Sequence, residues 1–218
     1  MTVLRYCLAA LAGYLLGTVS FSNLMARAIL KKDIRTLGSG NAGATNVLRN
    51  LGLKYAIPVF LGDALKAVLA AILSCLIIGR GLNEFSWLTG FTCPEIFVGG
   101  LAAVLGHNFP VFMGFKGGKG VSCSLGLLTV MNPLLGLAFI LVSAVLNYYI
   151  KLYSVISISV MFVSALVFTI VDAHGDPTEI AVLWLLFVLM VFMHRANIVR
   201  LIKGEEKKVD IRMDVTKK

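Results

Sequence analysis

Three polar segments interrupt an otherwise apolar chain, and each carries residues suited to holding an anion. The first reads GSGNAGATNVLRN, residues 38–50. Gly38, Gly40 and Gly43 leave backbone N–H groups uncovered and let the chain take positive φ. Asn41 or Ser39 can cap a helix starting near Ala42, whose first N–H groups would face an anion. Thr45 and Asn46 follow in the same stretch, and Arg49 lies further along, where a guanidinium can pair with phosphate through two parallel bonds. Read literally, Gly38, Gly40 and Gly43 also match a dinucleotide-binding fingerprint, with Asp63 about twenty residues on. That fingerprint needs a strand before it, and Asp63 lies inside an apolar run, so the match is rejected.

The second segment, GHNFPVFMGFKGGKGVS, spans residues 106–122. Gly114, Lys116, Gly117, Gly118, Lys119 and Gly120 make a flexible cationic loop able to fold backbone donors around a phosphate. The same loop would equally suit contact with anionic lipid headgroups. It is not a Walker A loop, because Met113 replaces the first glycine and Gly120 replaces the magnesium-binding Ser/Thr. The third segment, HRANIVRLIKGEE, spans residues 194–206. His194 and Asn197 stand three apart and face the same way on a helix. Arg195 and Arg200 are expected to reach out to headgroups instead of substrate.

Asp63 and Lys66, also three apart, sit within an apolar run and are expected to pair with each other structurally. Cys7, Cys75, Cys93 and Cys123 show no C-x-x-C spacing and read as small buried hydrophobes. With no His/Cys/carboxylate cluster at ligand spacing, neither a metal nor another cofactor is expected.

The elements that must position these segments are membrane helices. Hydrophobic residues make up 58% of the 218 positions and charged residues only 14%, with mean hydropathy +0.89. Soluble domains carry about a quarter charged residues, so the chain lies outside that class. Its apolar runs approach the twenty or so residues that a helix needs to cross about 30 Å of hydrocarbon. Spans are read at about residues 4–30, 55–78, 94–109, 121–130, 134–150, 153–171 and 179–193, about seven in all. The fourth is short and ends at Asn132-Pro133; Pro94 suits the first turn of the third. The first run continues past Met25, too long for a cleaved signal peptide, and is read as a retained helix.

The net charge of +9 does not point to nucleic acid, because the cations lie between apolar runs. Arg27, Lys31, Lys32, Arg35, Arg49, Lys54, Lys116, Lys119, Lys151 and the basic tail fall on one side. Arg80 faces Glu84, Glu95, Asp172, Asp176 and Glu179 on the other. That asymmetry places the N-terminus outside and the C-terminus in the cytoplasm, with all three motif segments on the cytoplasmic face. The chain reads as one membrane domain over residues 1–218, all-α, with no internal repeat.

Together the three strings resemble the acyl-phosphate-dependent glycerol-3-phosphate acyltransferases of bacteria, the PlsY family. The resemblance covers essentially the whole chain and includes the order and spacing of the motifs. It implies a seven-helix enzyme of the bacterial inner membrane that moves a fatty acyl group from acyl phosphate to the sn-1 hydroxyl of glycerol 3-phosphate. The products would be 1-acylglycerol 3-phosphate and phosphate, and an acyl-phosphate-producing enzyme would supply the donor. By the same resemblance Ser39, Arg49, Lys116, His194 and Asn197 match positions tied to glycerol 3-phosphate binding and turnover. Gly117, Gly118, Lys119 and Gly120 match the acyl-phosphate site, and Ser122-Cys123 departs from an expected Ala-Thr.

Acyl phosphate is a mixed anhydride with a good leaving group, so positioning and charge neutralisation are the main demands. The attacking hydroxyl loses a proton either to His194 or to the phosphate of glycerol 3-phosphate. The His-x4-Asp dyad of other acyltransferases is excluded: Phe112 follows His107 at the aspartate's place, and His174 and His194 also lack the aspartate. A transporter for a phosphorylated metabolite would place its site near the midplane and often show repeats, neither of which is visible here.

Overall fold

The computed structural model of the chain describes residues 2–79, 85–86, 90–91, 94–171 and 177–210. These are helical apart from connecting loops and a two-residue antiparallel ribbon, β1 (Phe85–Ser86) with β2 (Gly90–Phe91). Arg80, Gly81, Asn83, Glu84, Cys93, Asp172, His174 and Asp176 lie outside the described residues, so part of the expected outer face does too.

The first apolar run is two helices where one was expected. α1 (Thr2–Thr18) and α2 (Phe21–Leu30) are separated at Val19-Ser20. The break is stabilised from both sides. Ser20 caps α2 by accepting from Asn23 N, and Lys66 from the next long helix donates to the freed carbonyl of Val19 at 2.7 Å. A backbone group released inside a membrane protein needs such a partner.

α3 (Ala44–Leu51) and α4 (Leu53–Ile78) follow, then α5 (Ile96–Asn108). Pro94 precedes α5 in a turn instead of starting it, its carbonyl accepting from Phe97 N at 3.1 Å. α1, α4 and α5 form the tightest part of the bundle, and small residues are the cause. A Cβ on Gly17 would fall 2.2 Å from the carbonyl oxygen of Ala103, and one on Gly99 2.0 Å from that of Ala70. In lipid, apolar side chains gain nothing by leaving one apolar medium for another, so close backbone approach supplies the packing energy.

α6 (Val121–Met131) runs beside α4 and α5, its Gly126 set against Ala64. At about 1.5 Å per residue it spans only some 16 Å, too little to cross hydrocarbon alone. α7 (Pro133–Ile150) covers it, starting at Pro133 behind an Asn132 cap, and α8 (Tyr153–Val171) and α9 (Pro177–Met193) complete the bundle. Among the described residues five segments are long and apolar enough to span, or six if α9 and α10 (Arg195–Ile202) are one broken span. The seven expected spans are therefore not established by helix length, because α6 is short.

Past His194 the polar third segment forms a helix, as the His194–Asn197 spacing implied, and α10 turns off α9 by 59°. Residues 203–210 then fold back under the bundle. Val209 N donates to Lys151 O at 2.9 Å, and its side chain is buried against Ile34, Val47, Leu48 and Ala56. Lys151 pairs with Asp210.

Candidate active site

A cavity of about 630 Å³ opens where the three motif segments meet. One end is polar, lined by Ser39, Asn41, Arg49, Lys119, His194 and Asn197. The other is a mainly apolar arm between α4 and α7, where Leu53, Ile57, Phe60, Ile140 and Ala144 line it beside Ser143 and Asn147.

The first segment reaches the cavity through a turn fixed by one side chain. Gly38 and Gly40 have φ of 55° and 71°. Asn46, almost fully buried, donates to the carbonyls of Ile34 and Leu37 and accepts from Ser39 N, each at 3.0 Å. Asn46 therefore builds the turn, a job the sequence did not separate from binding. The helix begins at Ala44, not Ala42, and its cap is Gly43 in extended conformation with no side-chain cap bond. Neither Asn41 nor Ser39 caps it, because the chain between Gly38 and Gly43 is turned away to meet the second segment. Gly38, Ser39, Asn41, Gly43, Thr45 and Arg49 line the cavity; Gly40 does not. Ser39 is exposed at its edge, and Arg49 has no hydrogen bond or ion pair to another described residue.

The glycines of the second segment serve contact between backbones. Gly117 N donates to Asn108 O at 3.2 Å, Gly118 N to His107 O at 3.0 Å, and Gly117 O accepts from Ala42 N at 3.4 Å. The first two bonds close the second segment on itself, and the third ties it to the first segment. A Cβ on Gly117 would fall 2.0 Å from His107 O, and one on Gly118 2.0 Å from His107 Nε2. Neither glycine lines the cavity, whereas Gly120 does. Of the two lysines only Lys119 faces inward. Lys116 is exposed and lies off the cavity.

The third segment supplies a connected polar network. Lys119 Nζ donates to Asn197 Oδ1 at 2.5 Å, and Asn197 Nδ2 donates to Glu206 Oε1 at 2.6 Å. Glu206 also accepts from Ser154 Oγ at 2.9 Å and Arg200 Nε at 2.8 Å. Arg200 thus lines the cavity, where it was expected to reach for headgroups. Its place three residues after Asn197 on α10 is the signal that pointed to this. Glu206 and Ser154 carried no comparable signal, because their approach depends on the fold-back of residues 203–210. His194 is buried, and its Nδ1 lies 2.9 Å from the carbonyl of Met190. A carbonyl only accepts, so Nδ1 carries the proton and Nε2 keeps its lone pair.

Burial pushes the Lys119 ammonium down to about 8, with Arg200 and Arg49 acting in the same direction and Glu206 opposing. Burial acts to raise Glu206, yet the bonds from Asn197, Arg200 and Ser154 hold it below the ordinary carboxylate value.

At the inner end of the cavity Asp63 and Lys66 pair at 2.7 Å, as their spacing implied, and His107 joins them. Cys123 donates to Asp63 O at 3.0 Å. The ligand atoms of Asp63, His107 and Cys123 lie within 4.8 Å of one another, a grouping that chain order hid. The Lys66 ammonium, 2.7 Å from Asp63 and 2.9 Å from His107 Nδ1, already supplies the positive charge there, so the group does not fit a metal.

The model of the family described as glycerol-3-phosphate acyltransferase matches residues 7–204. A glycerol-3-phosphate acyltransferase of Clostridioides difficile (strain 630) is 38% identical over 213 residues, covering 96% of this chain and 98% of that protein. One from Aquifex aeolicus (strain VF5) is 38% identical over 194 residues, covering 88% and 93%. A crystal structure of PlsY, an integral membrane glycerol 3-phosphate acyltransferase in its glycerol 3-phosphate form, superposes with TM-score 0.79 at 33% identity, covering 93% of this chain and 94% of that one. The lysophosphatidic acid form gives 0.77 at 32%, covering 98% and 99%.

Proposed function

The chain belongs to the glycerol-3-phosphate acyltransferase family of phospholipid synthesis, and we propose that its donor is acyl phosphate and its acceptor the sn-1 hydroxyl of glycerol 3-phosphate. The products are 1-acylglycerol 3-phosphate and phosphate. The observation that carries this reading is one cavity with a cationic head and an apolar arm. Two phosphates need several cations and many donors, while a fatty chain needs an apolar channel. Solved relatives bound to glycerol 3-phosphate and to lysophosphatidic acid support the acceptor and the product.

Arg49 and Lys119 hold the two phosphates close together, and Arg200 adds positive charge beside them. Ser39 donates a hydrogen bond to a phosphate at the cavity edge. Asn197 holds Lys119 in place through its amide oxygen. His194 offers Nε2 as acceptor for the hydroxyl proton, and the phosphate of glycerol 3-phosphate is the alternative base. Lys116 lies off the cavity, so its part is to draw anionic substrate or lipid toward the mouth.

The charge distribution supports an N-terminus outside and a cavity mouth at the cytoplasmic face of a bacterial inner membrane. That orientation requires an odd number of crossings, with short α6 completing seven inside a sheath of α4, α5 and α7. Donor arrives from an enzyme that makes acyl phosphate in the cytoplasm.

Acyl transfer is direct. Ser39 lies at the edge of the cavity, and among the described residues no base is hydrogen-bonded to it, so it is not an activated nucleophile. Initial-rate lines with both substrates varied should intersect, and intact-protein mass spectrometry should find no acyl adduct. Parallel lines with an acyl group trapped on Ser39 would show the direct route to be wrong.

A further inference from the structure

His107 ends α5 at the inner wall of the cavity, and the reaction as described gives it no part. Its Nδ1 is engaged by Lys66 Nζ at 2.9 Å. That ammonium also donates to Asp63 Oδ1 and to the Val19 carbonyl, each at 2.7 Å, so three N–H bonds meet three acceptors. Asp63 Oδ1 lies farther from Nδ1, at 3.4 Å, and already accepts from Lys66, so in the neutral ring Nδ1 accepts the ammonium's third N–H and the ring proton sits on Nε2. Should the ring gain a second proton, Nε2 remains a donor. Among the described residues Nε2 has no hydrogen-bond partner. It faces Gly118, where a Cβ would come within 2.0 Å, and the ring borders the cavity.

The location defines what this donor meets. Phe60, three residues before Asp63 on α4, starts the apolar arm, and Lys119 and Gly120 end the cationic loop. An activated fatty acyl donor that lays its chain in the arm and its phosphate among the cations must place its carbonyl at that junction.

We infer that His107 Nε2–H is an oxyanion donor, hydrogen-bonding to the acyl carbonyl oxygen during transfer. As the glycerol hydroxyl oxygen bonds to the carbonyl carbon, the carbonyl π pair moves onto oxygen and the hydroxyl proton passes to the base. On collapse that pair returns, the bond to the leaving phosphate breaks, and phosphate departs with its electrons. His107 keeps its proton throughout, acting by hydrogen bonding to charge that grows in the transition state. Asp63 and Lys66 are positioning residues that hold the ring and its tautomer. This inference rests on acyl transfer from acyl phosphate to glycerol 3-phosphate, as proposed above.

The test combines kinetics with a spectroscopic reading of the carbonyl itself. His107→Phe removes the donor and His107→Gln restores an N–H at a similar reach. For His107→Phe, kcat should fall about 10²–10³-fold, the cost of one lost oxyanion donor, with KM for both substrates and glycerol 3-phosphate binding little changed. His107→Gln should recover about tenfold or more of that loss. Infrared spectra of lysophosphatidate with a ¹³C-labelled ester carbonyl should show a lowered carbonyl frequency when bound to the wild-type enzyme. The shift should be absent in His107→Phe. An unshifted carbonyl in the wild-type enzyme overturns the inference even if neither variant folds. So does a loss of rate that appears only as raised KM, or a glutamine variant no better than phenylalanine while binding is intact. Absence of any acyl transfer by the wild-type protein would instead sink the functional reading on which the inference stands.

Discussion

Arg49→Lys is expected to lower kcat/KM by about 10²–10³-fold, or about 3–4 kcal/mol of transition-state stabilisation, while leaving the protein as stable as the parent. Arg49 occupies the last turn of α3 and lines the cavity. Among the described residues it makes no hydrogen bond or ion pair, so the fold loses nothing when the guanidinium goes. The substrate loses a planar fork that meets two phosphate oxygens at once, and one ammonium cannot reproduce that geometry. Thermal unfolding in detergent, measured beside the rate, separates the two effects. Near-normal kcat/KM in a stable variant would remove Arg49 from the site.

Lys119 should be nearly as sensitive, and its dependence on pH identifies it. Burial brings its ammonium down to about 8, so the charged form dominates below that pH and is lost as pH rises through it. Only the charged form attracts phosphate. KM for the phosphate ligand that Lys119 holds should therefore be flat below about pH 7.5 and rise about tenfold per unit well above 8. Lys119→Arg keeps its charge and should move that limb upward by at least about a unit. Lys119→Met should abolish the limb and cost about 10²-fold in kcat/KM. An unmoved alkaline limb in Lys119→Arg would assign the titration to another group.

Much of this was legible in the sequence because membrane helices announce themselves. α4, α7, α8 and α9 begin and end within about two residues of where their apolar runs do. The break at Val19-Ser20 was not legible, since it depends on Lys66, a residue 47 positions away that satisfies the freed carbonyl. The short α6 was visible as an interrupted run, but hydropathy alone does not say whether such a run crosses.

Within the site, residue type and spacing marked Arg49 and Lys119, and the family resemblance marked His194 and Asn197; the structure sets all four around one cavity. Type and spacing did not distinguish Lys119 from Lys116, because the direction each points is set by the loop's backbone. The glycines at 117 and 118 were read as room for a phosphate; the structure uses them for contact with His107 and Ala42. Glu206, Ser154 and the approach of His107 to the Asp63–Lys66 pair depend on tertiary folding, which no local pattern encodes, whereas Arg200 carried a local signal in its place three residues after Asn197.

The donor is the centre of the account, and one assay decides it. Purified protein in proteoliposomes would receive labelled glycerol 3-phosphate with palmitoyl phosphate, palmitoyl-CoA or palmitoyl acyl carrier protein in parallel. The expected result is labelled 1-acylglycerol 3-phosphate and equimolar inorganic phosphate from palmitoyl phosphate alone. Product formed from the CoA or carrier-protein thioester, with palmitoyl phosphate inert, would contradict it.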